Sequence, residues 1–158
     1  MAYRYPTIKG EIGETYFFES EGPKGNIIQV ISFTPFFVYE SSEKPEYYIL
    51  GFGVPNGAFA SDNFNVDDKI LINNGDIIKI LNTVASSISD FLENNPNEVV
   101  YFEGSTPKRM QIYLSLIRKH FGFLRSRFEL FGVFDSNWEV FSLEEKKNYD
   151  GLYFKKKQ

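Results

Sequence analysis

Residues 98–121 read EVVYFEGSTPKRMQIYLSLIRKHF, and this stretch decides the predicted fold. Its apolar run, Val99–Phe102, is short and apolar on both faces, which is typical of a central strand. Gly104 then breaks the strand, and Thr106 followed by proline has the pattern of a helix N-cap and first helical position. The stretch therefore predicts a strand, a tight corner and a helix over 106–121.

Upstream of this stretch, the sequence predicts a loose N-terminal arm, three strands and a helix. Residues 1–13 form the arm, because proline and glycine interrupt them. Apolar residues at a period of 3.6 predict an amphipathic helix over 76–94, which Asn-Asn-Pro ends. The strands are β-rich runs bounded by turn residues, and they cover 15–20, 26–34 and 46–54.

Downstream, the sequence predicts three closing strands, at 127–134, 138–142 and 151–155, and a basic tail at 155–158. The predicted order is therefore β-β-β-α-β-α-β-β-β. We expect an α+β fold in which a curved, mainly antiparallel sheet of about six strands packs against two helices. A length of 158 residues favours a single domain over 1–158.

Composition excludes several kinds of site. The chain has no cysteine and one histidine, His120, so disulfides, thiol nucleophiles and multi-histidine metal centres are excluded. No stretch has the apolar length of a signal peptide or a membrane span, and we expect a soluble cytoplasmic protein without a cofactor or a membrane partner. The 17 Phe and 10 Tyr predict a ring-filled core, or surplus rings that cover a partner or a second copy of the chain.

Charge is distributed unevenly along the chain. Residues 1–103 carry 6 Lys/Arg against 15 Asp/Glu, whereas residues 104–158 carry 11 against 6. No acidic residue occurs between Gly104 and Phe128. Such a basic stretch with nearby rings could follow a nucleic-acid backbone, but a chain with a pI near 5.1 disfavours nucleic acid over a basic face that contacts the acidic half.

The corner at 104–109 is the candidate binding site. Backbone N–H groups at a helix start, hydroxyl groups and first-turn cations all favour a phosphate or carboxylate. Arg109 is predicted to be partly buried, so it requires an anion, which is either an internal carboxylate or a ligand. The candidate anion-binding residues are Ser105, Thr106, Lys108, Arg109 and Tyr113.

Three other candidate sites, for a metal ion, a catalytic histidine and a catalytic motif, have weaker support in the sequence. Asp62, Asp67 and Asp68 could ligate a cation, but their spacing matches no metal-binding loop, so a solvated loop without metal is favoured. His120 has the position of a core or boundary histidine. Neither a Walker loop nor a GxSxG elbow is present, so catalysis has no support from motifs and no catalytic residue is assigned.

The segments just described resemble a family of short uncharacterised proteins from Bacteroidetes-type bacteria. The resemblance covers about 15–156, and its most specific part is the Gly-Ser-Thr-x-x-Arg-x-x-x-Tyr segment at 104–113. As a domain of unknown function, the family implies an intact fold and draws attention to the corner without implying an activity.

The sequence as a whole favours a non-catalytic binding or interaction module that contacts a phosphate-bearing or acidic ligand at 104–109. One alternative is a nucleotide- or nucleic-acid-processing enzyme that uses Arg109 and an Asp of 62–68. The other is an oligomeric structural or partner protein, in which surplus rings line the interface.

Overall fold

A computed structural model describes residues 3–11, 14–39, 41–56, 65–67, 75–104, 106–144 and 147–157. The strands are β1 Ile8–Lys9, β2 Glu14–Gly22, β3 Gly25–Phe36, β4 Tyr47–Asn56, β5 Asn65–Asp67, β6 Val99–Phe102, β7 Phe128–Phe134, β8 Asn137–Val140 and β9 Gly151–Lys156. The helices are α1 Ile77–Asn94, α2 Pro107–Lys119 and α3 Phe121–Arg127. The order over the described residues is β-β-β-β-β-α-β-α-α-β-β-β.

The chain divides into two compact units. The first comprises Met1–Thr34 and Leu50–Ile88, and the second comprises Pro35–Ile49 and Ser89–Gln158. Strands in the first unit follow the order β1-β2-β3-β4, with β5 paired to β4, and strands in the second follow the order β4-β6-β9-β7-β8. The single domain over 1–158 stays a prediction.

The mixed α and β content and the mainly antiparallel sheet confirm the coarse fold prediction. The strand count of about six is wrong, because the described residues form nine strands, and the predicted order is wrong, because it lacks β1, β5 and α3. β1 and β5 are two and three residues long, which is too short for an alternating pattern, and they form because β2 and β4 supply partner backbones.

The region after α2 also differs from the prediction of two helices. α2 ends at Lys119, and α3 follows after His120 and includes Gly122. Glycine costs about 1 kcal/mol in a helix. Burial of Leu124 from α3 against the second unit's core offsets that cost, so the strand predicted from 127 begins at Phe128.

Part of the segment predicted as a loose arm, residues 3–5, contacts the rest of the first unit, whereas residues 6–9 are exposed. Tyr5 is only 4% exposed, its ring stacks on Phe18, and its backbone N–H donates to Thr83 Oγ1 at 2.9 Å. Asn82 Nδ2 donates to the Tyr3 carbonyl at 2.9 Å. The arm therefore covers polar residues of α1 that amphipathic periodicity places on the solvent side, and residues 82 and 83 are buried.

The sheet of the second unit separates two kinds of side chain, because successive strand residues point to opposite faces. Val100 and Phe102 of β6 are buried, and Phe102 meets the Tyr113 ring of α2 with ring centroids 5.1 Å apart. Tyr101 of β6 and Tyr153 of β9 lie in register on the opposite face. The helix-covered face is thus the core, and the other face carries rings that the core does not enclose.

The predicted basic tail is partly strand. β9 extends to Lys156, and Lys155 pairs with Val99 in the β6–β9 register. Lys157 Nζ donates to the Arg125 carbonyl at 2.9 Å. Ladder pairing with β6 and β7 extends the strand beyond the apolar residues that mark it in the sequence.

Candidate functional site

The strand-to-helix corner has the local structure that the sequence predicts. Thr106 is the N-cap of α2 with φ −140° and ψ 159°, and its hydroxyl accepts from the Arg109 N–H at 3.2 Å. Pro107 occupies the first helical position, where its missing N–H is not needed. The prediction that Thr106 is the N-cap of this helix is therefore confirmed.

The corner is also closely packed on itself. A Cβ at Gly104 would lie 2.6 Å from the Met110 nitrogen and 2.9 Å from its Cα, so the backbone of the corner rests on the first turn of α2. Gly104 N–H approaches Met110 Sδ at 3.2 Å, and Met110 N–H donates to the Thr106 carbonyl at 2.9 Å. Two first-turn N–H groups, those of Arg109 and Met110, are already used, which reduces what the corner offers an anion.

Four of the five predicted anion-binding residues lie in the described part of the chain. Lys108 and Thr106 are exposed and Arg109 is half-buried. Tyr113 is only 5% exposed and packs in the core against Phe102. Ser105 lies outside the described residues. The helical period places Tyr113 one turn beyond Arg109, but core packing against β6 directs its ring inward.

The three aspartates of 62–68, which the sequence favours as part of a solvated loop, fall mostly outside the described residues. Asp62 and Asp68 lie outside the described residues, and Asp67 ends β5 with its Cα paired to Val54 of β4. Among the described residues, no three His, Asp or Glu side chains form a group suited to a metal ion.

His120 lies between the helices α2 and α3. It is the C-cap of α2 and directly precedes α3, and its backbone N–H donates to the Leu116 carbonyl at 3.0 Å. The side chain is half-buried.

Sequence reasoning missed a set of rings that the sheet of the second unit brings together. We call this set the aromatic face. Each ring lies within 5.6 Å, centroid to centroid, of at least one other member. Its members are Phe36, Tyr47, Tyr101, Phe131, Trp138 and Tyr153.

Strand register explains how distant residues reach this face. Tyr153 of β9 pairs with Tyr101 of β6 on one side and with Phe131 of β7 on the other. Tyr47 of β4 is two residues before Ile49, which pairs with Tyr101, so its side chain lies on the same face. Phe36 then stacks on Tyr47, with centroids 4.8 Å apart and planes inclined by 14°.

Three phenols form the centre of the aromatic face, and we call them the tyrosine triad: Tyr47, Tyr101 and Tyr153. The centroid distances are 5.3 Å for 47 to 101, 5.6 Å for 47 to 153 and 4.8 Å for 101 to 153. The corresponding planes are inclined by 55°, 75° and 47°. Gly151 makes room for the triad, because a Cβ there would collide with the Tyr101 ring.

Burial and two carboxylates act on these phenols. Burial, followed by the charge of Glu103, raises the pKa of Tyr101, whose hydroxyl lies 3.4 Å from Glu103 Oε2. Burial raises the pKa of Tyr47, with Glu103 and Glu46 adding to the effect. Burial also raises the pKa of Tyr153, assisted by Tyr47 and Glu46. The phenols therefore stay protonated at neutral pH, in a field made more negative by two acids.

Comparison with protein families identifies the chain's relatives. A match to DUF6934, described as a family of unknown function, spans residues 1–157. The chain belongs to the DUF6934 family. No curated protein and no solved structure matches it at a significant level. In the described part of this DUF6934 chain, no helix has the length and apolarity that a membrane crossing requires.

The sequence of this DUF6934 chain does contain a weak signal for the aromatic face. In VVYF and GLYFK, an aromatic residue stands at the position that alternation assigns to the side away from the core. Both ends of the face are open to solvent, since Phe36 is 39% exposed and Trp138 is 56% exposed. The rings at the two ends of the face are therefore exposed apolar groups at positions where a solvated sheet face would carry polar residues.

Proposed function

We propose that this protein is a non-catalytic binding module and that the aromatic face is its contact surface. The observation that carries the proposal is the continuous contact of six rings on the sheet face opposite the helix-covered core. Tyrosine and tryptophan suit such a role because each combines a large apolar area with a polar group that can reach water or a ligand. The same residue types are enriched at protein interfaces and at their energetically dominant positions.

The single tryptophan allows a direct test. Trp138 contacts Tyr153 and Phe131, with centroids 5.1 Å and 5.2 Å away, so its emission reports a ligand on the aromatic face. We would titrate the protein with basic, acidic and apolar peptides, oligosaccharides and single-stranded oligonucleotides. We expect one class to change the emission, and Tyr47→Ala to weaken its binding about tenfold.

A matched control separates the face from aromatic content in general. Tyr39 is 71% exposed and is not a member of the aromatic face, so Tyr39→Ala removes an equal ring and should leave binding unchanged. A ligand that binds without changing Trp138 emission, with the same affinity in Tyr47→Ala, would contradict the proposal and locate binding elsewhere.

The corner at 104–109 remains a second candidate, as a contact for phosphate or an acidic ligand. Its support is the exposure of Lys108 beside the N-cap, at the positive end of the α2 dipole. Thr106, Lys108 and half-buried Arg109 would make the contact, with Ser105 still a prediction. Tyr113 is left out because its ring is buried. Stabilisation by phosphate in a thermal-shift assay, lost in Lys108→Ala but kept in Lys119→Ala, would support this site.

The enzyme alternative depends on an Asp of 62–68. Because Asp62 and Asp68 lie outside the described residues, that alternative and the cytoplasmic location stay predictions, as does a bacterial origin in Bacteroidetes.

A further inference from the structure

Building on the proposed function, we propose that the tyrosine triad of the aromatic face binds an arginine or lysine side chain carried by a segment of a partner protein. The occupant is defined by its chemistry, a cation with an apolar stem.

The inclination of the rings decides the shape of ligand that fits. A sugar ring or a nucleobase stacks on one plane at a time, and the planes of the triad differ by 47° to 75°. An ammonium group has no preferred plane and can lie near more than one π-face, and a guanidinium group, although planar, is attracted by its charge to the faces on which it does not stack. The geometry of the triad therefore favours a cation over a neutral flat ligand.

The charged side chains near the triad also favour a cation. Glu103 lies 3.4 Å from the Tyr101 hydroxyl, and Glu46 precedes Tyr47 in the chain. The field of these carboxylates makes phenol ionisation harder, which means that it is negative at the rings. A negative field over π-faces attracts cations and repels phosphates or acidic peptides.

One lysine lies near this arrangement and has a carboxylate opposite it. Lys155 lies two residues along β9 from Tyr153, hence on the same face, and in the β7–β9 register it pairs with Glu129. Lys155 therefore has a carboxylate of its own, whereas Glu46 and Glu103 are the carboxylates that act on the phenols.

The flanking rings favour a peptide segment over a free cation. Phe36 extends the face beyond Tyr47, and Trp138 extends it beyond Tyr153; both are exposed. Arginine and lysine carry apolar stems that can cover rings while the charged group remains in contact with water. The residues around such a side chain in a peptide would contact the two outer rings, which a small ion could not do.

A second copy of the chain is the weaker source of the cation. The exposed basic residues of α2 and α3 would have to meet the aromatic face of another copy, and this contact is heterologous, so it closes only for special rotations. Each copy also carries a net charge of −4, which opposes association. We therefore assign the cation to a different protein.

The experiment uses three synthetic Gly/Ser peptides that differ only at three positions. These positions carry arginine in the first peptide, its neutral isostere citrulline in the second and glutamate in the third. Trp138 emission is the readout. We expect the arginine peptide to bind at least about tenfold more tightly than the citrulline peptide, and the glutamate peptide to be weakest. Glu46→Gln with Glu103→Gln should reduce binding of the arginine peptide about tenfold.

A matched double variant controls for overall charge. Glu11→Gln with Glu19→Gln changes the net charge equally at two exposed sites in the first unit and should leave binding near the wild-type value. Equal loss in both double variants would mean that only net charge matters and would overturn the inference.

The outcomes separate this inference from the proposed function. If the citrulline peptide binds as well as the arginine peptide and Tyr47→Ala weakens both, the cation inference fails while the contact surface stands. If the arginine peptide binds but neither Tyr47→Ala nor the Glu46→Gln/Glu103→Gln variant weakens it, both fail.

A ligand-free arm and a sedimentation arm complete the test. Caesium should quench Trp138 more than iodide does, when each is compared with its quenching of free tryptophan. The Glu46→Gln/Glu103→Gln variant should reduce that preference for caesium. An unchanged preference would contradict the negative field at the rings.

Sedimentation should give a mass independent of concentration. Association that this variant abolishes would make a second copy the occupant and overturn the assignment to a partner protein.

Discussion

The corner at 104–109 and the aromatic face differ in how their residues are brought together. Corner residues are consecutive, and their contacts are a cap, a proline and a glycine packed on the following turn. The aromatic face draws on β3, β4, β6, β7, β8 and β9, and its contacts link residues far apart in sequence. A conspicuous local motif can therefore be mainly architecture, while the surface proposed here for partner binding lacks any contiguous motif.

The sharpest test of this comparison is Tyr113→Ala, which should be the most destabilising change. Truncating a buried ring leaves a cavity and typically costs about 3–5 kcal/mol of unfolding free energy. Urea unfolding should give a loss in this range, because Tyr113 packs against Phe102 in the core. Arg109→Ala is the control, since Arg109 is half-buried and should cost less. Equal losses of unfolding free energy would mean that Tyr113 contributes no more to stability than Arg109, and would contradict its assignment to the core.

Gly104→Ala should have the next largest effect. The added methyl group would meet backbone atoms of Met110, which cannot move without shifting α2, so we expect a loss of about 1–3 kcal/mol. Gly122→Ala in α3 meets no atom within 4 Å and should stabilise by about 0.5–1 kcal/mol. Thermal unfolding of both variants measures the contrast, and a neutral Gly104→Ala would mean that the corner has room for a ligand.

Thr106→Ala should have a smaller effect. Loss of the N-cap hydroxyl leaves the Arg109 N–H without its acceptor and costs about 1 kcal/mol. Thr106→Ser keeps the acceptor and should restore most of the stability in urea titrations. Phosphate could stabilise the wild type and Thr106→Ser to the same extent and also raise the midpoint of Thr106→Ala to the wild-type value. That result would mean that an anion can replace the cap and that the corner binds anions as well as beginning the helix.

The smallest expected effect concerns the aromatic face at alkaline pH. Burial and the neighbouring Glu103 carboxylate raise the folded-state pKa of Tyr101 above the ordinary value of 10.0. The associated stability is complete below pH 10.0 and is lost as pH rises through the folded pKa, because the unfolded chain releases the proton first. Tyr101→Phe should therefore reduce the fall in urea midpoint on the alkaline side.

Tyr39→Phe provides the comparison for this pH series, because Tyr39 is exposed and outside the aromatic face. It should follow the wild-type midpoint at every pH. An alkaline fall in Tyr101→Phe as steep as in the wild type would mean that burial and Glu103 do not govern this phenol.

Local signals in the sequence were sufficient for much of the fold. The strand predicted at 99–102 coincides with β6, the helix predicted over 76–94 begins one residue later as α1, and the predicted cap is the observed Thr106. Each rests on interactions within a few residues, such as helical periodicity, capping and the fixed φ of proline. Family membership, which spans almost the whole chain, agrees with a coherent fold.

Other features could not be read from the sequence. β1 and β5 exist because longer strands lie beside them, and the polar residues Asn82 and Thr83 are buried because the N-terminal arm covers them. The alternatives for the surplus rings stayed open for the same reason. Counting phenylalanine and tyrosine does not reveal which of them share a sheet face.

The amino-acid sequence by itself determined the positions of β6, of α1 and of the Thr106 cap, since these depend on near neighbours along the chain. Only the tertiary structure decided that Tyr47, Tyr101 and Tyr153 meet, because strand neighbours are set by non-local pairing. It likewise decided that Tyr113 belongs to the core and that Glu46 and Glu103 surround the phenols with negative charge. Side-chain direction alternates along each strand, so register alone assigns every ring either to the core or to a surface that a partner can reach.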